Sequence, residues 1–410
     1  MNLLNPPKTP WYPGWNILLV CLVFQALIIG TVFFSYTLAV GEWLADDKLN
    51  VTLTYVIAPI TVLTLCQSIV SPLVGYALDR YSIRVMICFG VLLVSIGYIA
   101  TSFVSSFFII VLIYGTFIVV GVGLAGPLAA QTLASRWFNE KRGLAIGLVT
   151  TGTSIGGALM APSITILYES IGWRETHRLL GIVFLLVITP LVWIIVRNSP
   201  RQSVGDEQRS SSESKKTMTF SQKIWTTSEI LRERNFWVVV LSFLPLLFVF
   251  SSIQQHLQPF GTSLGLNSMQ VAALVSVFAS VMIGSKIFFG VMSDRFDHRI
   301  LFAFSLLLCF LVVVGFLTQS SYPAILFFTG LLGFSSGGFL PLIGAIIASR
   351  FGAASFGSVM GLVGPFLAIS AFGPILFSRM YEVEGSYVLA FYGALLVLCP
   401  GFLAIAFLRK

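Results

Sequence analysis

The sequence predicts an all-α membrane protein with twelve transmembrane helices in two pseudo-symmetric six-helix bundles. Three observations predict it. Of 410 residues, 57% are hydrophobic and only 10% charged, with a mean hydropathy of +0.94, whereas a soluble domain carries about 25% charged residues. Twelve apolar stretches approach the roughly 20 residues that a helix needs to cross a bilayer. Short strings on the two sides of one polar segment also repeat each other at a nearly fixed offset.

The expected spans run in order. The first, 16–40, is longer than the roughly 7–15-residue apolar core of a cleavable signal, and its upstream flank carries a single Lys8, so it reads as a retained helix. Spans 51–77, 84–101, 106–134, 143–168 and 178–197 complete the first bundle, with residues 1–197 as its domain. Spans 236–260, 269–292, 300–318, 323–348, 356–380 and 386–408 form the second, residues 236–410. Gly, Pro and Ser recur inside these stretches, which membrane helices tolerate because neighbours re-satisfy the backbone. Span four holds IVVGVGLAGPLAA and span ten GFSSGGFLP, read either as bending points or as sites of close packing.

The domains are joined by a cytoplasmic linker, 198–235. Its first part, rich in Ser and charge, predicts disorder. Its second part, FSQKIWTTSEILRERNF, predicts a short surface helix with Ile224, Trp225 and Leu231 towards lipid, or else an extended tether.

Nineteen of the 24 Lys and Arg fall on one side of the expected membrane and four on the other. That bias places both termini in the cytoplasm and requires an even number of spans. The net charge of +8 therefore reports topology and not a nucleic-acid partner. All eight Trp fall near span ends, as an interfacial belt predicts, and the five cysteines sit in apolar segments as small hydrophobes.

Gly75, Asp79, Arg80 and Arg84 recur as Gly290, Asp294, Arg295 and Arg299, each 215 residues on; Arg136, Gly143 and Gly147 recur as Arg350, Gly357 and Gly361, each 214 on. A duplication of this kind predicts parallel repeats with a site between them at mid-membrane. GYALDRYSIR and GVMSDRFDHR resemble the loop between the second and third helix of each half in the major facilitator superfamily. SRWFNEKRGLAIGLVTTGTSIGGALMAP, and HLQPFGTSLGLNSMQ with the helix after it, are similar to the monocarboxylate and oxalate/formate branch of that superfamily. The Asp and Arg residues of the repeated loop (Asp79, Arg80, Arg84, Asp294, Arg295, Arg299) are expected to form a cytoplasmic gate, latching that side while the outer side is open. Gly75 and Gly290 are expected to let helices approach closely.

Lys286 is the single basic residue inside an expected span. A charge there costs roughly 2.5–3.5 kcal/mol on insertion scales and marks a functional site. It lies four residues before Gly290, on one helical face with it, which directs it into the bundle; snorkelling to the cytoplasmic surface is the other reading. In the branch that the chain resembles, the matching position is an Arg that binds substrate carboxylate. Here a point ammonium replaces the planar fork, and bidentate binding is lost. All 16 Asp and Glu fall in loops or at span ends, and span eleven carries no internal cation, so one anionic group on the substrate is expected. Tyr36, Thr151, Gln254 and Gln255 join Lys286 as expected substrate contacts, because their spans line the cavity in that superfamily. His256, in H-L-x-P, is a candidate proton carrier or gate, with a hydrogen-bonded structural role as the alternative, while His177 and His298 are read as loop residues.

No nucleotide loop, metal-ligand spacing or catalytic triad is present, so no enzyme activity, cofactor or metal is expected. The expectation is a multi-pass protein of a bacterial inner membrane, a monomer in the bilayer, that moves a small organic anion by alternating access. A monocarboxylate is the expected substrate, with protons or a second anion as coupling partner. A larger carboxylate-bearing solute, such as a siderophore or an aromatic acid, is the alternative, and a transporter-like receptor without flux is the third reading.

Overall fold

The computed structural model describes residues 14–138, 142–196, 225–293, 295–351 and 356–407. Among them there is no strand. Eleven helices are long and apolar enough to cross a membrane: Gly14–Phe34, Leu53–Leu78, Ile83–Ser102, Phe107–Ala134, Gly147–Ile195, Arg234–Ser263, Ser268–Ser293, His298–Thr318, Tyr322–Phe351, Val359–Glu384 and Val388–Ala406. The 49-residue Gly147–Ile195 helix turns at Gly172 (φ 76°, ψ 164°), a left-handed conformation that suits glycine. It therefore supplies two crossings, spans five and six, and the total is twelve.

Arg80, Arg84, Arg136, Arg295, Arg299 and Arg350 all lie at one end of the bundle, called here the basic end; the opposite end is the distal end. Small residues bring the helices together. A Cβ on Gly30 of span one would stand 2.6 Å from the backbone of Gly156 in span five. In the other half, a Cβ on Gly333 of span ten would stand 2.2 Å from the Phe278 carbonyl of span eight. Without a hydrophobic force between helices in lipid, this close contact is what holds them. Spans four and ten break at matching places: one helix ends at Ala125 and the next begins at Pro127, and one ends at Gly337 and the next begins at Phe339. The glycines of these strings serve close packing and interruption together.

Several expectations are corrected. Gly75 and Gly290 meet nothing: a Cβ on either finds no atom within 4 Å, because the helices stand apart at the basic end. Trp43, Trp137 and Trp173 are buried inside the protein, while Trp193 and Trp237 are exposed, so the tryptophans do not form one belt. After the linker, Thr227–Arg232 is a short helix fixed by a capping box between Thr226 and Glu229. Ile230 on it is fully buried and Trp225 stands edge-on to Phe351 with 5.4 Å between ring centroids, so it docks on protein and not on lipid. Ile224 and the linker before it lie outside the described residues.

Candidate functional site

Span eight positions Lys286. Its neighbour Ser285 hydrogen-bonds the Phe334 carbonyl of span ten, and a Cβ on Gly337 would touch Ser285 at 2.7 Å. With Ser285 pinned to its own half, the next side chain points across the bundle to span five. The Lys286 Nζ donates to Ser154 Oγ at 2.8 Å, Thr153 Oγ1 at 3.1 Å and the Thr150 carbonyl at 3.2 Å. Thr150, Thr153 and Ser154 share one helical face by their spacing. The Thr153 hydroxyl gives its proton to the Thr150 carbonyl at 2.9 Å, which leaves its lone pair for the ammonium. Three neutral acceptors thus match the three donors of an ammonium, and no carboxylate among the described residues pairs with it. A charge taken out of water and held by neutral groups alone is poorly compensated, so an anion beside it is strongly favoured.

Lys286 lines a cavity of about 260 Å³ walled by Phe33, Phe34, Gln131, Phe250, Gln254, Met282 and Phe339 among others. A second cavity of about 730 Å³ runs along span two past Thr61, Thr64, Gln67, Ser68 and Ser71 to Gly75, facing Met360 and Gly361 of span eleven. Phe33, Leu247, Phe250, Gln254 and Phe339 wall both. Gln254 and Gln255, expected contacts, line the larger cavity and Gln254 also the smaller.

The other expected contacts lie elsewhere. Tyr36 is 1% exposed, donates to the Val56 carbonyl at 2.7 Å and packs edge-on against Trp43 and Tyr114. Thr151 donates to the Leu148 carbonyl at 2.7 Å and lines neither cavity. His256 is buried outside both cavities; its Nδ1 donates to the Ser252 carbonyl at 2.8 Å and Nε2 stands 3.0 Å from Ser378 Oγ. His177 is no loop residue: it is 2% exposed, within a helix, between Thr101 Oγ1 at 3.0 Å and Tyr168 OH at 3.1 Å. His298 begins the helix of span nine. Thr153, missed in the sequence, was legible as the position between Thr150 and Ser154 on one helical stripe.

At the basic end, Arg80 hydrogen-bonds the Tyr76 hydroxyl, Arg84 lies 4.4 Å over the Trp193 ring, and Arg295 is exposed. Arg299 Nε stands 3.9 Å from Asp297, which caps its helix. Arg136 donates to the Leu78 carbonyl at 2.8 Å. The Asp79 side chain and Asp294 lie outside the described residues.

The distal end joins the halves. Thr37 Oγ1 donates to the Gln255 carbonyl at 3.1 Å and accepts from the Gln258 amide at 2.9 Å. Thr61 Oγ1 donates to the Ala371 carbonyl at 3.1 Å. Glu382 of span eleven accepts from the Thr54 amide at 2.8 Å, one of the free donors at the N-terminus of span two. The fully buried Gln25 serves structure, donating to the Val149 carbonyl at 2.9 Å.

The profile of the Major Facilitator Superfamily matches residues 18–317 and 257–410. The chain is 27% identical over 297 residues to the oxalate:formate antiporter of Oxalobacter formigenes, covering 71% of this chain and 67% of that one. It is 28% identical over 414 residues to monocarboxylate transporter 2 of Rattus norvegicus, covering 93% and 81%. Among solved structures, a bacterial homologue of the human lysosomal transporter Spinster matches 98% of this chain and 95% of its own, with a TM-score of 0.67 at 14% identity, a likeness of fold.

Proposed function

The chain belongs to the Major Facilitator Superfamily, whose fold and relatives are those of transporters and not enzymes, and from that premise we propose that it is a secondary active transporter of an organic anion, a monocarboxylate. The observation that carries this reading is the Lys286 ammonium, reaching from one half to neutral acceptors of the other beside a cavity. A carboxylate entering that cavity replaces a neutral acceptor with a counter-charge. Because the ammonium belongs to one half and its acceptors to the other, the same exchange alters what joins the halves, which is how binding couples to alternating access. The names of the two curated relatives, both carriers of small carboxylates, support the substrate class. The basic end faces the cytoplasm by the positive-inside rule, and the domains are 1–197 and 236–410, joined by the 198–235 linker.

Counterflow in proteoliposomes tests the reading. Carboxylate-dependent flux is expected with the wild type and is expected to fall to background in Lys286→Ala. Undiminished flux in that variant, or none with the wild type across a panel of monocarboxylates, rejects it.

A further inference from the structure

Resting on the carboxylate reading above, we infer that the substrate occupies two subsites: its carboxylate at Lys286, and a remote hydrogen-bonding group at the amides of Gln67 and Gln255. The substrate class is then a monocarboxylate with an aromatic body and a hydroxyl or amide at its far end.

The amides carry the argument. Gln254 is 7% and Gln255 4% exposed, yet neither side chain hydrogen-bonds any described residue, and the Gln67 side chain has no such partner either. The Oε1 atoms of Gln67 and Gln255 are buried and unpaired. Buried polar groups in native proteins are nearly always satisfied. Gln25, equally buried but away from both cavities, also leaves its Oε1 unpaired, yet its amide nitrogen is tied to the Val149 carbonyl, whereas the side chains of Gln67, Gln254 and Gln255 bond at neither end. The idle amides are those that wall the larger cavity, and idle buried amides on a cavity wall are what a ligand with its own polar group would use.

The space between the subsites defines the rest of the ligand. The smaller cavity alone has room for roughly nine water volumes, far more than a carboxylate of a few atoms fills. Its common wall with the larger cavity carries the rings of Phe33, Phe250 and Phe339, with the Gln254 amide beside them. A ligand reaching from Lys286 to Gln67 and Gln255 passes these three rings, and an aromatic body packs against them edge-to-face or offset. Lys286 is the single cation on either wall, so the far group is neutral and a dicarboxylate is disfavoured.

Two acids separate the subsites: 3-phenylpropanoate and 3-(4-hydroxyphenyl)propanoate, titrated calorimetrically into the purified full-length protein. The hydroxylated acid is expected to bind about fivefold to tenfold more tightly to the wild type, the equivalent of one net hydrogen bond. In Gln67→Leu/Gln255→Leu that preference is expected to vanish while the unsubstituted acid still binds, and in Lys286→Gln both acids are expected to be lost. Gln67→Leu alone, at a partly buried position, carries the same test if the double variant does not fold. Equal or weaker binding of the hydroxylated acid by the wild type, or a preference that survives the glutamine changes, overturns the two-subsite inference and leaves the carboxylate reading standing. Failure of both acids to bind where a short monocarboxylate does bind overturns the two-subsite inference alone, and failure of every monocarboxylate in the panel overturns both.

Discussion

At the distal end the two halves meet through hydrogen bonds of Thr37, Thr61 and Thr54, whereas at the basic end Gly75, Gly147, Gly361 and Gly364 face open space. Further hydrogen bonds between the halves lie around Lys286 and Ser276 in the middle. The sequence repeat is nearly symmetric, but the interface between the repeats is not. The distal seal consists mostly of neutral bonds, each worth about 1 kcal/mol net, so it can be broken without unfolding either half. Its one charged member, Glu382, sits on the N-terminus of span two, where the helix dipole favours a negative charge. The glycines of the basic end, in contrast, leave room there, which the alternating access proposed above would fill as the distal end parts.

The largest expected effect comes from filling that room. In Gly75→Leu the present state is expected to be undisturbed, since nothing lies within 4 Å, but closing the basic end would meet a clash. An overpacking cost of about 3 kcal/mol in the closed state alone lowers transport by roughly a hundredfold. Flux should collapse while the thermal unfolding midpoint stays put; normal flux would mean the basic end does not close at this position.

A wedge at the other end should push in the opposite direction and less far. A Cβ on Gly41 would meet the Gln258 side chain at 2.1 Å, a flexible group on the residue whose backbone amide belongs to the seal. Gly41→Leu is expected to raise the distal-open population by about tenfold, the yield of some 1.4 kcal/mol. Labelling of a Thr61→Cys reporter by an impermeant maleimide, after replacement of the five native cysteines, reads it; unchanged labelling would show that Gln258 simply moves aside.

Glu382→Gln removes a charge from the same seal and keeps its shape. It should weaken distal closure by about 1 kcal/mol, less than an unpaired loss because the amide oxygen still accepts from Thr54. The same labelling assay should show a severalfold rise. No change would assign Glu382 to surface charge rather than to the seal.

The smallest effect lies within one half and serves as the control. Burial tends to raise the Asp46 carboxyl, but hydrogen bonds from Arg174, from Trp173 Nε1 at 3.0 Å and from the Lys48 amide at 3.0 Å outweigh it and hold it below the usual carboxylate range. A depressed native value stabilises the fold above the ordinary value of about 3.9 and is lost as pH falls through the native one. Asp46→Asn should therefore cost about 1 kcal/mol at neutral pH and nearly nothing at strongly acid pH. The midpoint of thermal unfolding at the two pH values checks this, and transport asymmetry between the ends should be untouched.

Much of the molecule was legible in the residues themselves. Hydropathy and length gave the twelve crossings, including the two that one continuous helix supplies on either side of Gly172. Lys286 stood out because an embedded charge is costly in any context. The cavity wall was harder to read. Thr151 and Thr153 are two residues apart in the same threonine-rich turn, yet one is turned to its own backbone and the other to Lys286. Tyr36 was expected in the cavity and lies instead among Trp43 and Tyr114. His177 was expected in a loop and is enclosed by Thr101 and Tyr168.

The sequence by itself determined how many times the chain crosses the membrane, which ends carry positive charge and that one ammonium would be embedded, because these follow from local composition and the cost of taking backbone and charge out of water. The tertiary structure alone decided what that ammonium touches, which amides stay unpaired and which end of the bundle is sealed. Those depend on the rotation of each helix about its axis and on contacts more than a hundred residues apart in the chain, such as Lys286 with Ser154 and Thr61 with Ala371. A turn of about 100° per residue is enough to move a side chain from the cavity to the core.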